Sequence, residues 1–408
     1  MGLPKNPLIP ILLIGIFSTS PLAGSSVLTH EAIIDQSWDH GIRPLLVKRF
    51  PNSTDEQLRD AHVYAYGGAI IQDLGYYPFG SKFFSDLTHY VRSGDFVAAL
   101  LRDSQDLNEY AFALGALSHY ATDNHVHTIA VNRSVPMMYP KLKAKFGDVV
   151  TYEDNPTSHL KVEFSFDVVQ VARGKYEPQS YHDFIGFRVA KPVLEKSFQE
   201  TYALTLAQVF NDLDRALGTY RFTVSSLIPE MTKTAWVAKK DDILNLQNQM
   251  TRRKYIYRYS RANYHKEFDG KYDRPGPGAR FLAWLIQILP KIGPLKTLSF
   301  KVPTPAAEKL FLASFTSTLQ QYATLLGDAG RDQLGFVNEN FDIGKPTVRG
   351  EYHMADVAYD KLLQRIAPAP SQIPKELRAD ILRFYGASGQ PVSPEARAAL
   401  AVLKSETQ

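Results

Sequence analysis

The sequence predicts an all-α protein, a multi-helix bundle. Apolar residues recur at three- and four-residue steps over long stretches, β-type alternation is scarce, and cap residues stand where periodic stretches begin. Thr54, followed by Asp55, Glu56 and Gln57, reads as an N-cap with an acidic first turn. Leu107 to Ala121 has the spacing of a buried helix, and Ser158 to Val171 reads as a further one. Leu194 to Leu217 predicts one long amphipathic helix, since neither Pro nor Gly interrupts it before Gly218. Helical patterning resumes from Thr304 to Leu326. The tail, hinged at Ala367 to Pro370, has room for two short helices.

With 408 residues, 44% hydrophobic and 22% charged, the chain is globular in composition and holds ample core material. A formal charge of +4 imposes no nucleic-acid partner. Cysteine is absent, which excludes disulfides, thiolate metal sites and a cysteine nucleophile together. Any metal must be held by nitrogen and oxygen.

The N-terminus carries Lys5, an apolar run from Leu8 to Phe17, and small residues through Ser26. This is the pattern of a secretory signal peptide over residues 1–25, so a secreted or periplasmic protein is expected. The run is shorter than the roughly 20 residues of a spanning helix. The remainder divides into a helical domain over 26–230, a basic insertion or lid over 231–302, helices over 303–366 that pack on the core, and a tail over 367–408. Between Met231 and Lys301, 15 Lys or Arg face 5 Asp or Glu, with Tyr255, Tyr257, Tyr259, Tyr264 and Tyr272 among them. That composition suits either a solvated helix with aromatic anchors or a surface for anionic lipid or nucleic acid.

Eight of the eleven histidines lie between His30 and His159. The central group is His119, Asp123, His125 and His127. On a helix His119 and Asp123 share a face and can grip one ion, and Asp123 has a second oxygen with which to bridge two. His127 continues that face if the helix persists, whereas His125 points elsewhere; helix geometry favours His127 without excluding His125. His159 and Glu163 repeat the four-residue spacing. Asp73 follows an apolar run near a loop with His89 sixteen residues on, and His30 lies just beyond the expected cleavage point. Tyr76 and Tyr77 are candidates for shaping a substrate pocket and equally good packing residues. His40, His62, His182, His265 and His353 read as ordinary packed or surface histidines. The sequence has no Gly-rich phosphate loop, no G-x-S-x-G elbow and no H-E-x-x-H pair.

Thr29-His30, the Gly68 to Asp73 stretch, His89, His119-x-x-x-Asp123 and His159-x-x-x-Glu163, in that order, resemble the zinc-dependent phospholipase C family, which shares a superfamily with single-strand-specific zinc nucleases. The resemblance implies a helical bundle around a cleft with two or three Zn2+ ions. Asp73, His89, His119 and Asp123 would hold the first; His127, His159 and Glu163 the second; His30 the third, bridged by Asp123. It also implies Asp73 as the catalytic carboxylate that orients or deprotonates water, and a phosphodiester as substrate. Two features depart from the family pattern: no Trp stands near the expected cleavage point, and His127 follows Asp123 by four residues instead of about seven. The expected activity is release of phosphorylated head groups from phospholipids, with peripheral membrane contact and no obligate protein partner. A zinc nuclease and a non-catalytic metal-stabilised binding protein are the alternatives.

Overall fold

The computed structural model describes residues 27–172, 187–224, 300–386 and 392–405. The expected signal peptide and nearly all of the basic insertion, residues 231–299, lie outside the described residues. Everything described is helical apart from turns, loops and one pair of two-residue strands, so the all-α expectation holds. Among the described residues, no helix is long and apolar enough to cross a membrane.

The first half runs α1 (Val27–Ser37), α2 (Arg43–Arg49), α3 (Asp55–Ile70), α4 (Lys82–Tyr90), α5 (Ser93–Asp103), α6 (Leu107–His125), α7 (Asn132–Met138), α8 (Pro140–Phe146) and α9 (Pro156–Ala172). There follow α10 (Lys191–Tyr202), α11 (Leu206–Val209) and α12 (Leu213–Phe222). After the basic segment come α13 (Pro305–Ala329), the strands β1 (Glu339–Asn340) and β2 (Lys345–Pro346), α14 (His353–Ile366), α15 (Lys375–Gly386) and α16 (Pro394–Ser405).

Local chemistry sets the starts. Thr54 and Gln57 form a reciprocal capping box for α3, and the side chains of Asp106 and Thr304 cap α6 and α13. The helix expected over 194–217 is broken into three. Ala203 takes a left-handed conformation (φ 55°), Thr205 opens α11 through a capping box with Gln208, and Asp212 caps α12. Thr205 and Asp212 offer the backbone N–H groups side-chain partners outside a continuous helix, so the apolar periodicity outlives the helix itself.

The core is organised around α6, whose residues from Tyr110 to Asn124 are all buried. α3 and α13 pack along it, α10 packs on α5, and α14 packs on α4. One hydrophobic cluster runs from Val27 to Leu403, so the C-terminal helices share the core of the first half. Buried tyrosine hydroxyls are satisfied across elements: Tyr322 donates to the Leu114 carbonyl (2.8 Å), and Tyr220 to that of Ile70 (2.8 Å).

The contact between α3 and α6 is backbone on backbone. A Cβ added at Gly68 would stand 1.9 Å from the Phe112 carbonyl oxygen, and one at Gly115 would stand 2.1 Å from that of Ala65. This closeness brings the Ala69 carbonyl to 2.9 Å from His119 Nδ1, so the helix pair that builds the core also aims a histidine. Gly115→Ala should therefore force the helices apart and destabilise the protein by about 1–3 kcal/mol or more, by overpacking. Urea unfolding measures this; an unchanged midpoint would count against the close-approach argument.

Candidate metal centre

α6 presents His119 and Asp123 one turn apart, as their spacing predicts. His119 Nε2 lies 3.2 Å from Asp123 Oδ2. α4 contributes His89, whose Nε2 is 3.4 Å from Asp123 Oδ2, 3.3 Å from Asp73 Oδ1 and 3.4 Å from His119 Nε2. Asp73 comes from the 3-10 turn Ile71–Tyr76 that ends α3. All four residues are buried, and their donor atoms form one group within 4.8 Å of one another.

The far side of each imidazole is already engaged. His119 Nδ1 lies 2.9 Å from the Ala69 carbonyl and His89 Nδ1 lies 2.8 Å from that of Ser85. A carbonyl only accepts, so each Nδ1 carries a proton and each Nε2 is the atom turned to the centre, where it can ligate an ion. Two neutral rings would set lone pairs face to face there, which is repulsive unless a cation or proton lies between. Ligands about 2.0–2.1 Å from a tetrahedral zinc stand roughly 3.3–3.4 Å apart, close to the spacings seen here.

The second group is His127, His159 and Glu163. α9 carries the latter pair one turn apart, with Nε2 of His159 2.7 Å from Oε1 of Glu163. His127 Nε2 is 3.4 Å from the same oxygen. His159 is fully buried, yet neither ring nitrogen makes an aligned hydrogen bond. An unpartnered buried polar group costs about 1–3 kcal/mol, which an ion at this position would offset. His127 belongs to the π-helical turn Val126–Val131 that continues α6, and this turn packs against α9. His125 instead lies 3.1 Å from the Ser317 hydroxyl on α13.

Asp123 joins the centre to His30, whose Nε2 is 3.3 Å from the Oδ1 that Asp123 leaves free of the first group. His30 is buried, stacks on His119 with ring centroids 4.6 Å apart, and has no partner at Nδ1. The donor set of imidazole nitrogens and carboxylate oxygens, with unpartnered buried nitrogens, fits zinc.

A single cavity is lined by His30, Asp73, Tyr76, His89, Asp123, His127, Tyr152, Leu160, Glu163 and Asp342. Tyr77 is not among them: its ring packs in the core against Tyr220, with centroids 4.0 Å apart, because the extended residue ending the 3-10 turn faces away from Tyr76. Tyr77 is thus a packing residue and not a pocket wall. Tyr152 and Asp342 were absent from the expected site. Tyr152 has no ligand-type spacing, and Asp342 lies 179 residues beyond Glu163 in a short turn between β1 and β2. His62 stands apart, stacked on Trp38 and 3.1 Å from Asp35.

Fold and donor set together describe a helical protein with a compound histidine–carboxylate cluster able to hold metal ions. Residues 29–212 match the family model of zinc-dependent phospholipase C, a hydrolase family, and so span every predicted ligand but none of the C-terminal helices. No curated protein and no solved structure matches the chain.

Charge in the ion-free cleft follows from crowding. Burial pushes the Asp123 and Glu163 carboxyls up, but the imidazoles of His119 and His127 around Asp123, and of His159 and His127 around Glu163, outweigh it and hold both below their ordinary values. Burial likewise favours neutral His89, yet Asp123 and Asp73 raise its pKa from 6.5 to about 10. A raised folded-state pKa stabilises the ion-free fold in full below pH 6.5, and this contribution is lost as pH rises through about 10. Zinc must displace that proton. Calorimetry at pH 7 in buffers of different ionisation enthalpy should therefore register net proton release on zinc binding. Equal heats in all buffers would contradict the protonated state.

Proposed function

We propose that this protein is a zinc-dependent phosphodiester hydrolase of the phospholipase C type, acting on phospholipids. The observation that carries the reading is the pair of histidine–carboxylate groups, the first joined to His30 by Asp123, around a cavity whose lining has no Lys or Arg. Asp73, Asp123, Glu163 and Asp342 would repel a phosphodiester anion, so recognition of phosphate there requires cations. Asp73, His89, His119 and Asp123 would hold one zinc, His127, His159 and Glu163 a second, and His30 with Asp123 a third.

Bound zinc would neutralise the phosphate and bring the pKa of water toward about 7. The chain's own residues position the reaction. Asp73 lines the cavity and is the carboxylate proposed to orient the attacking water and receive its proton. Burial foremost, then Tyr152 and the nearby carboxylates, keeps the Tyr76 phenol protonated, so it remains a hydrogen-bond donor at the cavity wall. Water adds to phosphorus, the bond from phosphorus to the glycerol oxygen breaks, the proton taken up by Asp73 is returned to that oxygen, and the products are diacylglycerol and the phosphorylated head group. Tyr76, Tyr152 and Leu160 give the cavity an apolar side suited to the glycerol end of a lipid. Export after loss of residues 1–25 and contact with a membrane surface belong to the same reading.

The test is turnover of phosphatidylcholine vesicles and of single-stranded oligonucleotide by the zinc-loaded protein, each with and without chelator. Chelator-sensitive release of phosphocholine is expected. Cleavage of the oligonucleotide alone would assign the nuclease reading. Bound zinc with no turnover of either substrate would indicate a metal-stabilised binding protein.

A further inference from the structure

His127 is the metal-ligand candidate with a carboxylate at each of its two ring nitrogens. Its Nε2 faces Glu163, while its Nδ1 lies 3.0 Å from Asp342 Oδ1. Asp342 is buried and belongs to the C-terminal half, outside the segment 29–212. Its other oxygen accepts hydrogen bonds from the Tyr90 hydroxyl (2.8 Å) and the Tyr352 hydroxyl. Two phenols thus fix the carboxylate, leaving Oδ1 for the imidazole.

The turn that carries Asp342 is itself fastened to the helices of the metal centre. The Phe341 N–H donates to the His89 carbonyl (3.2 Å), and the Asn132 amide donates to the Asp342 carbonyl (2.6 Å). Asn124 on α6 donates to the Glu339 carboxylate (2.8 Å). Gly344 closes the turn in the left-handed region (φ 59°), and a Cβ there would stand 2.7 Å from Thr128 Cγ2. A segment held at this many points to α4, α6 and the π-helical turn delivers its carboxylate to a fixed place.

From this geometry we propose that Asp342 is a positioning residue for the metal centre: it accepts the Nδ1–H of His127 and so presents Nε2 to the ion shared with His159 and Glu163. The proposal rests on the zinc-hydrolase reading above. It also makes the second ion's site dependent on the C-terminal half of the chain. A carboxylate behind a ligating imidazole sets the tautomer, orients the ring and raises its basicity as a donor. The Nδ1 contact is close but off the N–H axis, and Nδ1 has no other partner. Alignment with Asp342 is therefore expected to tighten as Nε2 takes up an ion.

The test uses the full chain loaded with zinc, with affinities read by competition against a chromophoric chelator. Asp342→Ala should weaken the His127–His159–Glu163 site by about 10–100-fold, the usual effect of losing such a partner, and leave the Asp73–His89–His119–Asp123 site largely intact. Asp342→Asn, which keeps an acceptor oxygen, should recover most of the loss; a merely structural defect would not follow that order. Imidazole 15N spectra of the zinc-loaded wild type provide a reading that needs no variant: His127 should carry its proton on Nδ1. Equal zinc affinity in wild type and Asp342→Ala, or a proton on His127 Nε2, would overturn the proposal while leaving the hydrolase reading standing. Tight zinc binding that depends on Asp342, with no phosphodiester turned over, would do the reverse. A wild-type chain that binds no zinc would remove both.

Discussion

Asp123→Ala is expected to abolish turnover, with zinc content falling at the same time. Asp123 uses both oxygens: Oδ2 lies 3.2 Å from His119 and 3.4 Å from His89, and Oδ1 lies 3.3 Å from His30. Among the described residues, no other carboxylate joins the first group to His30. Loss of a single preorganised electrostatic contact commonly costs about 10²–10³-fold in rate, and here two ion positions lose a ligand together, so that range is a lower bound. The zinc-free variant should also be less stable, by about 3–5 kcal/mol, because breaking a buried ion pair leaves the imidazoles beside it without their counter-charge. Zinc content and phosphocholine release, measured beside circular dichroism, separate the two effects. A folded Asp123→Ala protein with a full zinc complement and wild-type turnover would sink the bridging assignment.

Stripping the metal should have the second largest effect. An ion at about 1,000 times its dissociation constant stabilises the native state by about 4.1 kcal/mol per site, and two separate groups are present. Without ions the cleft retains the fully buried His159 ring, whose Nδ1 is unpartnered and whose Nε2 meets only the Glu163 carboxylate, off the hydrogen-bond axis. Chelator treatment should therefore lower the denaturant midpoint by an amount that Zn2+ restores and Mg2+ does not, because Mg2+ is poorly served by imidazole. Coincident unfolding curves before and after chelation would mean that the clusters hold no structural ion.

The two predictions differ in what they probe. The first asks whether one carboxylate links the ion positions, and the second whether the ions belong to the folded state at all. Asp342 adds a third level, since it is expected to act on one group only and through a ligand instead of on the ion.

Much of this was legible in the amino-acid sequence. His119 with Asp123 and His159 with Glu163 are local pairs: four residues along a helix place two side chains on one face whatever surrounds them. The capping box at Thr54 and Gln57 is equally local, and the all-α class followed from such signals. The grouping of Asp73, His89 and His30 with those pairs was reached through resemblance, because no spacing links residues that meet only when α1, α3, α4 and α6 pack. Where reading by pattern alone failed, a non-local or competing local term decided. Caps at Thr205 and Asp212 divided a stretch whose apolar period ran on unbroken, and Tyr77 turned into the core beside a neighbour that lines the cavity.

By itself, then, the order of residues determined the helical class, the two four-residue histidine–carboxylate pairs and the exclusion of thiolate chemistry, since each depends only on composition or on the pitch of one helix. Tertiary structure alone decided that Asp123 faces His30 and both of its partners at once, that a π-helical turn carries His127 to α9, and that a turn 179 residues beyond Glu163 places Asp342 behind that ring. Those relations arise from close helix contacts at Gly68 and Gly115 and from backbone bonds between distant segments, and no sequence spacing encodes a distance across a packed interface.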